Sequence, residues 1–145
     1  MGETKYGNQI ITSCRKPNDA NQWAASYLPE EESRILYLGD EVIKGSFYVS
    51  CGWFWPKMIT AHPEERASKP HSHNYNEVVA LIGSDPHNPG DLGGEAEIYL
   101  RGEKHTVNKS CLIYLPAGFE HGPFIQTKME RPIFQFDCGM SGRHS

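Results

Sequence analysis

The clearest absences in this sequence are long apolar runs and clusters of positive charge. The longest apolar stretch lies within residues 77–82, which is far too short for a membrane-spanning helix or the core of a signal peptide. Lysine and arginine number 14 against 18 acidic residues, and they form no run. Because nucleic acids and anionic membranes attract basic surfaces, the net charge of −4 argues against both as partners. With no export signal, we expect a cytoplasmic protein.

Cysteine is also scarce. The four cysteines, Cys14, Cys51, Cys111 and Cys138, show neither a CxxC pair nor regular spacing. Packed or surface thiols in a reducing compartment are the favoured interpretation, and a disulfide or a reactive thiol is the alternative. A chain of 145 residues, 38% of them hydrophobic, fits one domain and can bury a core without disulfides.

Helical periodicity is nearly missing, and short strand-like segments take its place. Only residues 19–27, capped by Asn18 or Asp19, could form a turn or two of helix. Residues 83–94 are rich in Gly, Pro, Asp and Asn, which predicts a long loop. Many short segments bounded by turn residues predict an all-β sandwich or barrel. The predicted strands lie at 35–38, 46–55, 77–82, 95–100, 104–107, 111–115 and 133–136.

Three of the seven histidines lie in a pattern typical of a metal site. His71 and His73 are two residues apart, which would place both imidazoles on one face of a strand. Residues 74–76 have turn composition, so a hairpin there would return Glu77 to the two imidazoles. Later, a Pro-Ala-Gly turn presents His121. Two adjacent hairpins in a barrel could therefore bring together three nitrogen ligands and one oxygen ligand.

Three imidazoles and a carboxylate suit one divalent ion, which could be Fe, Mn, Ni, Co or Zn. An octahedral ion would keep two open positions. A substrate with adjacent oxygens, such as a hydroxyketone, an α-keto acid or a catechol, could chelate there. A Lewis-acid metal would serve isomerase or lyase chemistry, and a redox-active metal would serve dioxygenase chemistry. The ligand set separates neither the reactions nor the metals.

These residues resemble the two sequence motifs of the cupin superfamily. The first motif contains HxHxxxE, which is similar to the segment from His71 to Glu77, followed here by Gly83. The second contains PxGxxH, which matches at Pro116, Gly118 and His121. Three scaffold positions depart from the motifs and affect loop geometry rather than the metal ligands: Glu65 and Ser110 replace the opening glycines, and Ile125 replaces an asparagine.

The resemblance implies an all-β fold, a small cupin-type β-barrel of the double-stranded β-helix or jelly-roll kind. The barrel would span residues 46–145, and residues 1–45 would form an N-terminal arm and edge strands that pack on it. Cupins often dimerise through edge strands or swapped arms, so a homodimer is expected.

Tyr75 and Glu120 are the candidate catalytic residues. Tyr75 lies between the ligands and could reach the open face of the metal, although packing at the rim is the favoured role. Glu120 lies beside His121 and could act as a general base, although an exposed turn carboxylate is the favoured interpretation.

Two further sets of side chains have roles that depend on which way their strand faces. The face shared by Glu95, Glu97, Tyr99 and Arg101 would bind substrate if it pointed into the barrel. It would be solvated if it pointed outward, which is the favoured interpretation. Trp53 and Trp55 are expected to pack in the core or at a dimer interface rather than to line a pocket.

These observations favour a metal-dependent enzyme acting on a small oxygenated substrate. A non-catalytic, metal-containing barrel that binds a small molecule is the first alternative. A structural domain whose metal only stabilises the barrel is the second. One fold hosts many chemistries, so the fold does not decide among them.

Overall fold

The computed structural model describes residues 4–12, 32–56 and 69–141. Apart from one turn of 3-10 helix at Gly7–Gln9, the regular elements in these ranges are β-strands. In chain order they are β1 (Glu32–Leu38), β2 (Tyr48–Phe54), β3 (Glu77–Gly83), β4 (Asp91–Leu100), β5 (Glu103–Lys109), β6 (Cys111–Leu115), β7 (His121–Met129) and β8 (Ile133–Gly139). The all-β prediction is therefore confirmed, while the suggested helix at 19–27 lies outside the described residues.

The strands form two antiparallel sheets that face each other. The five-stranded sheet has the order β1-β2-β8-β3-β6, and the three-stranded sheet has the order β5-β4-β7. Inward side chains of both sheets form one buried cluster, consisting of Leu81, Leu92, Ala96, Ile98, Met129 and Ile133. Because this cluster joins β3 and β8 to β4 and β7, burial of apolar area holds the two sheets together.

A second buried cluster, formed by Tyr37, Tyr48 and Tyr75, is separate from this aliphatic core. Tyr48 opens β2, and its register partner on β8 is Gly139, which in turn pairs with Glu77 at the start of β3. The tyrosines therefore lie at the end of the barrel where β2 and β3 begin.

Two parts of the fold depart most from the sequence prediction. The predicted loop at 83–94 is shorter than expected, because β4 begins at Asp91. A Cβ on Gly94 would lie 2.2 Å from the Lys128 carbonyl oxygen, so this strand position needs glycine for a close approach of β7. Strand β7 was not predicted at all, since Gly122 and Pro123 near its start interrupt the strand pattern. Proline is tolerated there because β7 lies at the edge of its sheet.

The remaining loop between β3 and β4 is tied to the barrel by Ser110, the residue that stands where the second motif has glycine. Its hydroxyl accepts a hydrogen bond from the Gly83 N–H at 2.9 Å and donates one to the Pro89 carbonyl at 2.7 Å. Its backbone N–H bonds to the Gly90 carbonyl at 3.0 Å. This departure from the motif thus has a structural role in holding the loop.

Strand β1 lies at the edge of the five-stranded sheet and pairs with β2. The proposed boundary between an arm at 1–45 and a barrel at 46–145 stays a prediction. No helix within the described ranges has the length and apolar character needed to cross a bilayer.

An ion pair between Asp91 and Arg131 offers a test of pH-dependent stability. The Arg131 guanidinium donates to the Asp91 carboxylate at 2.7 Å, and this hydrogen bond lowers the carboxyl pKa. A lowered folded-state pKa stabilises the fold above the ordinary carboxyl value, and that stability is lost as pH falls through the folded value. We expect Asp91→Asn to reduce the melting temperature slightly at pH 7 and to have no effect well below pH 3.8. Thermal unfolding across pH measures this, with the exposed Glu103→Gln as the control; an equal loss at every pH would contradict it.

Candidate metal centre

The two motif segments are joined directly by backbone hydrogen bonds. The His71 N–H bonds to the His121 carbonyl at an N···O distance of 2.9 Å, and the His121 N–H bonds to the His71 carbonyl at 2.8 Å. The two residues form an isolated antiparallel bridge. The Gly118 N–H bonds to the His73 carbonyl at 2.7 Å. The predicted regular strand at His71 and His73 is therefore wrong, because among the described residues His71 forms an isolated bridge and His73 belongs to no strand. The i, i+2 spacing nevertheless brings the two imidazoles together, with ring centroids 4.8 Å apart.

Backbone carbonyls set the orientation of two imidazoles. Nδ1 of His71 lies 2.6 Å from the Lys69 carbonyl oxygen, and Nδ1 of His121 lies 2.9 Å from the Phe119 carbonyl oxygen. A carbonyl oxygen can only accept a hydrogen bond, so each Nδ1 carries the proton. In the neutral ring each Nε2 then presents a lone pair, as in protein metal sites where the other ring nitrogen is bonded to a carbonyl.

The three imidazoles form a compact cluster. One nitrogen from each of His71, His73 and His121 lies within 4.8 Å of the other two. Nitrogen ligands of a single divalent ion lie at most about 4.2 Å apart, since each metal–nitrogen bond is about 2.0–2.1 Å. His73 and His121 are buried, and His71 is half-buried. The three nitrogens would move closer together on binding one ion.

Glu77 lies beside this cluster, as the spacing predicted. It opens β3, and its carboxylate is 4% exposed. Oε1 lies 3.5 Å from Nε2 of His73 and 3.7 Å from Nε2 of His121. The structure thus brings together the four side chains that the sequence singled out as metal ligands.

The electrostatics of the cluster favour a cation. Burial raises the pKa of Glu77, against the opposing effects of a hydrogen bond from Tyr48 and of nearby His71. Burial lowers the pKa of His121, against the opposing effect of its bond to the Phe119 carbonyl, and His71 lowers it further. Neutral imidazoles and a buried carboxylate are the donor set of a divalent first-row ion, and such an ion would supply the positive charge that the carboxylate lacks. The residues present therefore fit the predicted metal.

Two residues behind Glu77 were missed by the sequence analysis. The Tyr48 hydroxyl lies 2.5 Å from Oε2 of Glu77 and 2.7 Å from Oδ2 of Asp137. All three side chains are buried, and burial together with the two carboxylates raises the pKa of Tyr48, which keeps it protonated. Neither Tyr48 nor Asp137 belongs to a spacing motif. The available signal was a polar Asp137 directly after the predicted strand at 133–136.

The two candidate catalytic residues lie in different surroundings. Tyr75 is buried, with its ring stacked on His73 at a centroid distance of 4.9 Å and an interplanar angle of 13°. Glu120 is exposed, and its carbonyl accepts the Arg101 N–H at 2.9 Å. Neither arrangement assigns a catalytic role, so both assignments stay predictions.

The face of β4 that carries Glu95, Glu97 and Tyr99 points outward. Ala96 and Ile98 are the buried residues of the alternation in β4, so Glu95, Glu97 and Tyr99 lie on the opposite face. Glu97 pairs there with Lys104 at 3.4 Å. The solvated interpretation holds, and these side chains do not line the barrel interior.

The fold is similar to solved structures at low sequence identity. A recombinant oxalate oxidase in complex with glycolate is 12% identical, over 99% of this chain and 63% of that chain, with a TM-score of 0.54. KdgF from Halomonas sp. is 14% identical, over 92% of this chain and 97% of that one, with a TM-score of 0.47. An RmlC-like cupin from Shewanella frigidimarina is 13% identical, over 90% and 94% of the two chains, also at 0.47.

No protein-family model matches the sequence, and no curated protein matches it either. The likeness to oxalate oxidase covers nearly the whole chain, and at 12% identity it establishes the fold alone. That fold agrees with the one implied by the two sequence motifs, whose segments meet at the histidine cluster. This chain therefore has a cupin-type β-barrel fold, like the oxalate oxidase structure.

Proposed function

We propose that this protein is a metal-dependent enzyme acting on a small oxygenated substrate that chelates the metal. His71, His73, Glu77 and His121 would hold one divalent ion. The observation that carries the proposal is the convergence of three imidazole nitrogens within 4.8 Å of one another, beside a buried carboxylate. Buried ionisable groups gathered in this way are typical of functional sites rather than of structural cores.

The histidines and Glu77 would have different roles in holding such an ion. His71 and His121 offer Nε2 lone pairs whose direction is set by the Lys69 and Phe119 carbonyls. Glu77 supplies the negative charge. When bound, the ion would supply Lewis-acid chemistry for an isomerase or lyase, or redox chemistry for a dioxygenase.

The shared fold suggests a class of substrate. The oxalate oxidase of similar fold was solved with glycolate, a hydroxy acid whose oxygens lie on adjacent carbons. Small acids, hydroxyketones and catechols with this arrangement are the proposed substrates, because two neighbouring oxygens can occupy two adjacent positions on one ion. Tyr75 and Glu120 remain the proposed catalytic residues.

Elemental analysis of protein purified without added metal tests the proposal. We expect about one divalent ion per chain in the wild type and background levels in His71→Ala, because the substitution removes one ligand. His105→Ala is the matched control, since His105 is exposed on β5 and pairs with Glu103. Iron or manganese would direct a substrate screen toward oxygen-dependent reactions, and zinc or nickel toward isomerase and lyase reactions. Wild-type protein that holds no metal, even after reconstitution, would refute the proposal.

A non-catalytic small-molecule binder is the second candidate. It is favoured by the positions of Tyr75, buried against His73, and of Glu120, exposed at a turn, since a general base must reach the substrate. Water relaxation of the manganese-loaded protein separates the two functions. Exchangeable waters on the ion support the enzyme, and an ion saturated by protein groups supports the binder.

The proposed partners are a small-molecule ligand and a second copy of this chain, in the cytoplasm, with no nucleic acid or membrane. The homodimer is supported by apolar side chains on the outer face of the edge strand β6, where Leu112 and Tyr114 are 70% and 60% exposed. Trp53 lies on the outer face of the same sheet, against Phe134 at a centroid distance of 5.1 Å. Light scattering of the purified protein would measure the oligomeric state.

A further inference from the structure

We propose that Tyr48 is a positioning residue that holds Glu77 as a ligand through one oxygen. The inference rests on the proposed metal site, and it adds a role for two residues that carry no motif. Tyr48 would bind one carboxylate oxygen of Glu77, so that the other oxygen alone faces the histidines. Because a phenol has one proton, Asp137 would have to be the donor to the Tyr48 oxygen, which leaves the Tyr48 proton for the Glu77 contact.

The two carboxylate oxygens of Glu77 have different neighbours. Oε2 is 2.5 Å from the Tyr48 hydroxyl, whereas Oε1 is the atom that lies 3.5 Å from Nε2 of His73. A carboxylate without such a bond could turn and present either oxygen, or both, to an ion. The hydrogen bond therefore selects one oxygen and leaves it directed at the imidazoles.

The register of the sheet explains why a tyrosine is needed. Tyr48 on β2 and Glu77 on β3 are separated by Gly139 on β8, so their backbones lie two strand spacings apart, about 9.6 Å. Serine, threonine or aspartate at position 48 would be too short to cross that distance. The Tyr48 ring crosses above Gly139, where a Cβ would lie 2.6 Å from it.

The Tyr48 hydroxyl is held from a second direction as well. Oδ2 of Asp137, on β8, lies 2.7 Å from it, and the Tyr75 ring packs edge-on against the Tyr48 ring at a centroid distance of 6.1 Å. Tyr48 is 1% exposed, so water does not compete for the hydroxyl. The Tyr48 hydroxyl is thus buried between two carboxylates, and packing holds its ring in place. Contacts of this kind are what the precise placement of a metal ligand needs.

The test is metal affinity in Tyr48→Phe, which removes one oxygen atom and keeps the ring. Metal-free protein is titrated with Co²⁺ against a chelator, and its visible spectrum is recorded. We expect binding to weaken by about 10–100-fold, the usual effect of losing a group that orients a ligand, and the cobalt bands to change as Glu77 turns. Tyr37→Phe is the matched control: Tyr37 belongs to the same buried cluster and donates to the Glu41 carboxylate at 2.9 Å. It should bind cobalt like the wild type.

A double-mutant cycle separates positioning from general damage to the fold. If Tyr48 acts through Glu77, Tyr48→Phe should have no further effect on cobalt affinity in a Glu77→Ala background. Equal affinity losses in both backgrounds, or an unchanged affinity in Tyr48→Phe alone, would overturn the proposal. A wild type that binds no metal would instead refute the proposed function, so the two failures are distinguishable.

Asp137 supplies a second pair of variants that keeps the proposal testable if Tyr48→Phe does not fold. Asp137→Asn retains a side chain that can hydrogen-bond the Tyr48 oxygen, whereas Asp137→Ala removes it. We expect cobalt affinity to fall by about 10-fold in Asp137→Ala and to be restored in Asp137→Asn. Wild-type affinity in Asp137→Ala would contradict the role assigned to the hydroxyl.

Discussion

Glu77→Gln is expected to stabilise the metal-free protein while weakening metal binding by more than about 100-fold. The loss should exceed the range for groups that merely orient a ligand, because the variant removes the charged ligand itself. Stability and metal binding would therefore move in opposite directions, as expected of a residue kept for its chemistry rather than for the fold.

The gain in stability follows from the direction of the pKa shift. Burial raises the pKa of Glu77 above its ordinary value of 4.5. Such a group stabilises the fold while it is protonated, and that contribution is lost as pH rises through the folded pKa. Metal-free wild type at neutral pH must either ionise a buried carboxyl or hold a proton on it. Glutamine avoids both, since its carbonyl can accept from Tyr48 and its amide can donate to the Nε2 of His73.

Thermal unfolding of metal-free protein between pH 4 and pH 8 measures this effect. The melting temperature of Glu77→Gln should exceed that of the wild type at the upper end of the range, and the difference should shrink as pH falls toward 4.5. Glu97→Gln is the control, because Glu97 lies on the outward face of β4 with Lys104. A variant less stable than the metal-free wild type at pH 8 would show that the carboxylate is well compensated without a metal.

Gly139→Ala is expected to destabilise the fold by about 3 kcal/mol or more, at the upper end of the cost of overpacking a buried site. A Cβ there would lie 2.5 Å from Cε1 of Tyr75 and 2.6 Å from Cε2 of Tyr48, and both rings are buried. Neither ring can move without giving up its packing or, for Tyr48, its bond to Glu77. The substitution should therefore weaken metal binding as well as the fold.

Denaturant unfolding of the metal-free variant gives the stability change, and cobalt titration gives the binding change. Gly90→Ala is the matched control, since a Cβ on Gly90 meets nothing within 4 Å. That variant should stay within about 0.5 kcal/mol of the wild type, as surface substitutions usually do. A Gly139→Ala protein as stable as the Gly90→Ala protein would mean that the two tyrosine rings are free to shift.

The parts of the fold that sequence reasoning found are those with a local cause. Alternation and turn residues located most of the strands, because side-chain direction in a strand repeats every two residues. Strand β7 was missed because Gly122 and Pro123 break that pattern locally, although pairing with β4 restores the strand. The start of β4 was missed for a similar reason, since Gly94 suggests a loop. Only the close approach of β7 explains why a glycine lies within this strand.

By itself, the sequence determined the fold class and singled out the four candidate metal ligands. The spacing of His71, His73 and Glu77 and the turn before His121 are local features, so they could be recognised without coordinates. Only the tertiary structure decided which groups support those ligands. Tyr48 and Asp137 are 29 and 60 positions away from Glu77 along the chain, and they meet it because β2, β8 and β3 are neighbours in one sheet. Strand order is a long-range property of packing, whereas ligand spacing is a short-range property of the chain.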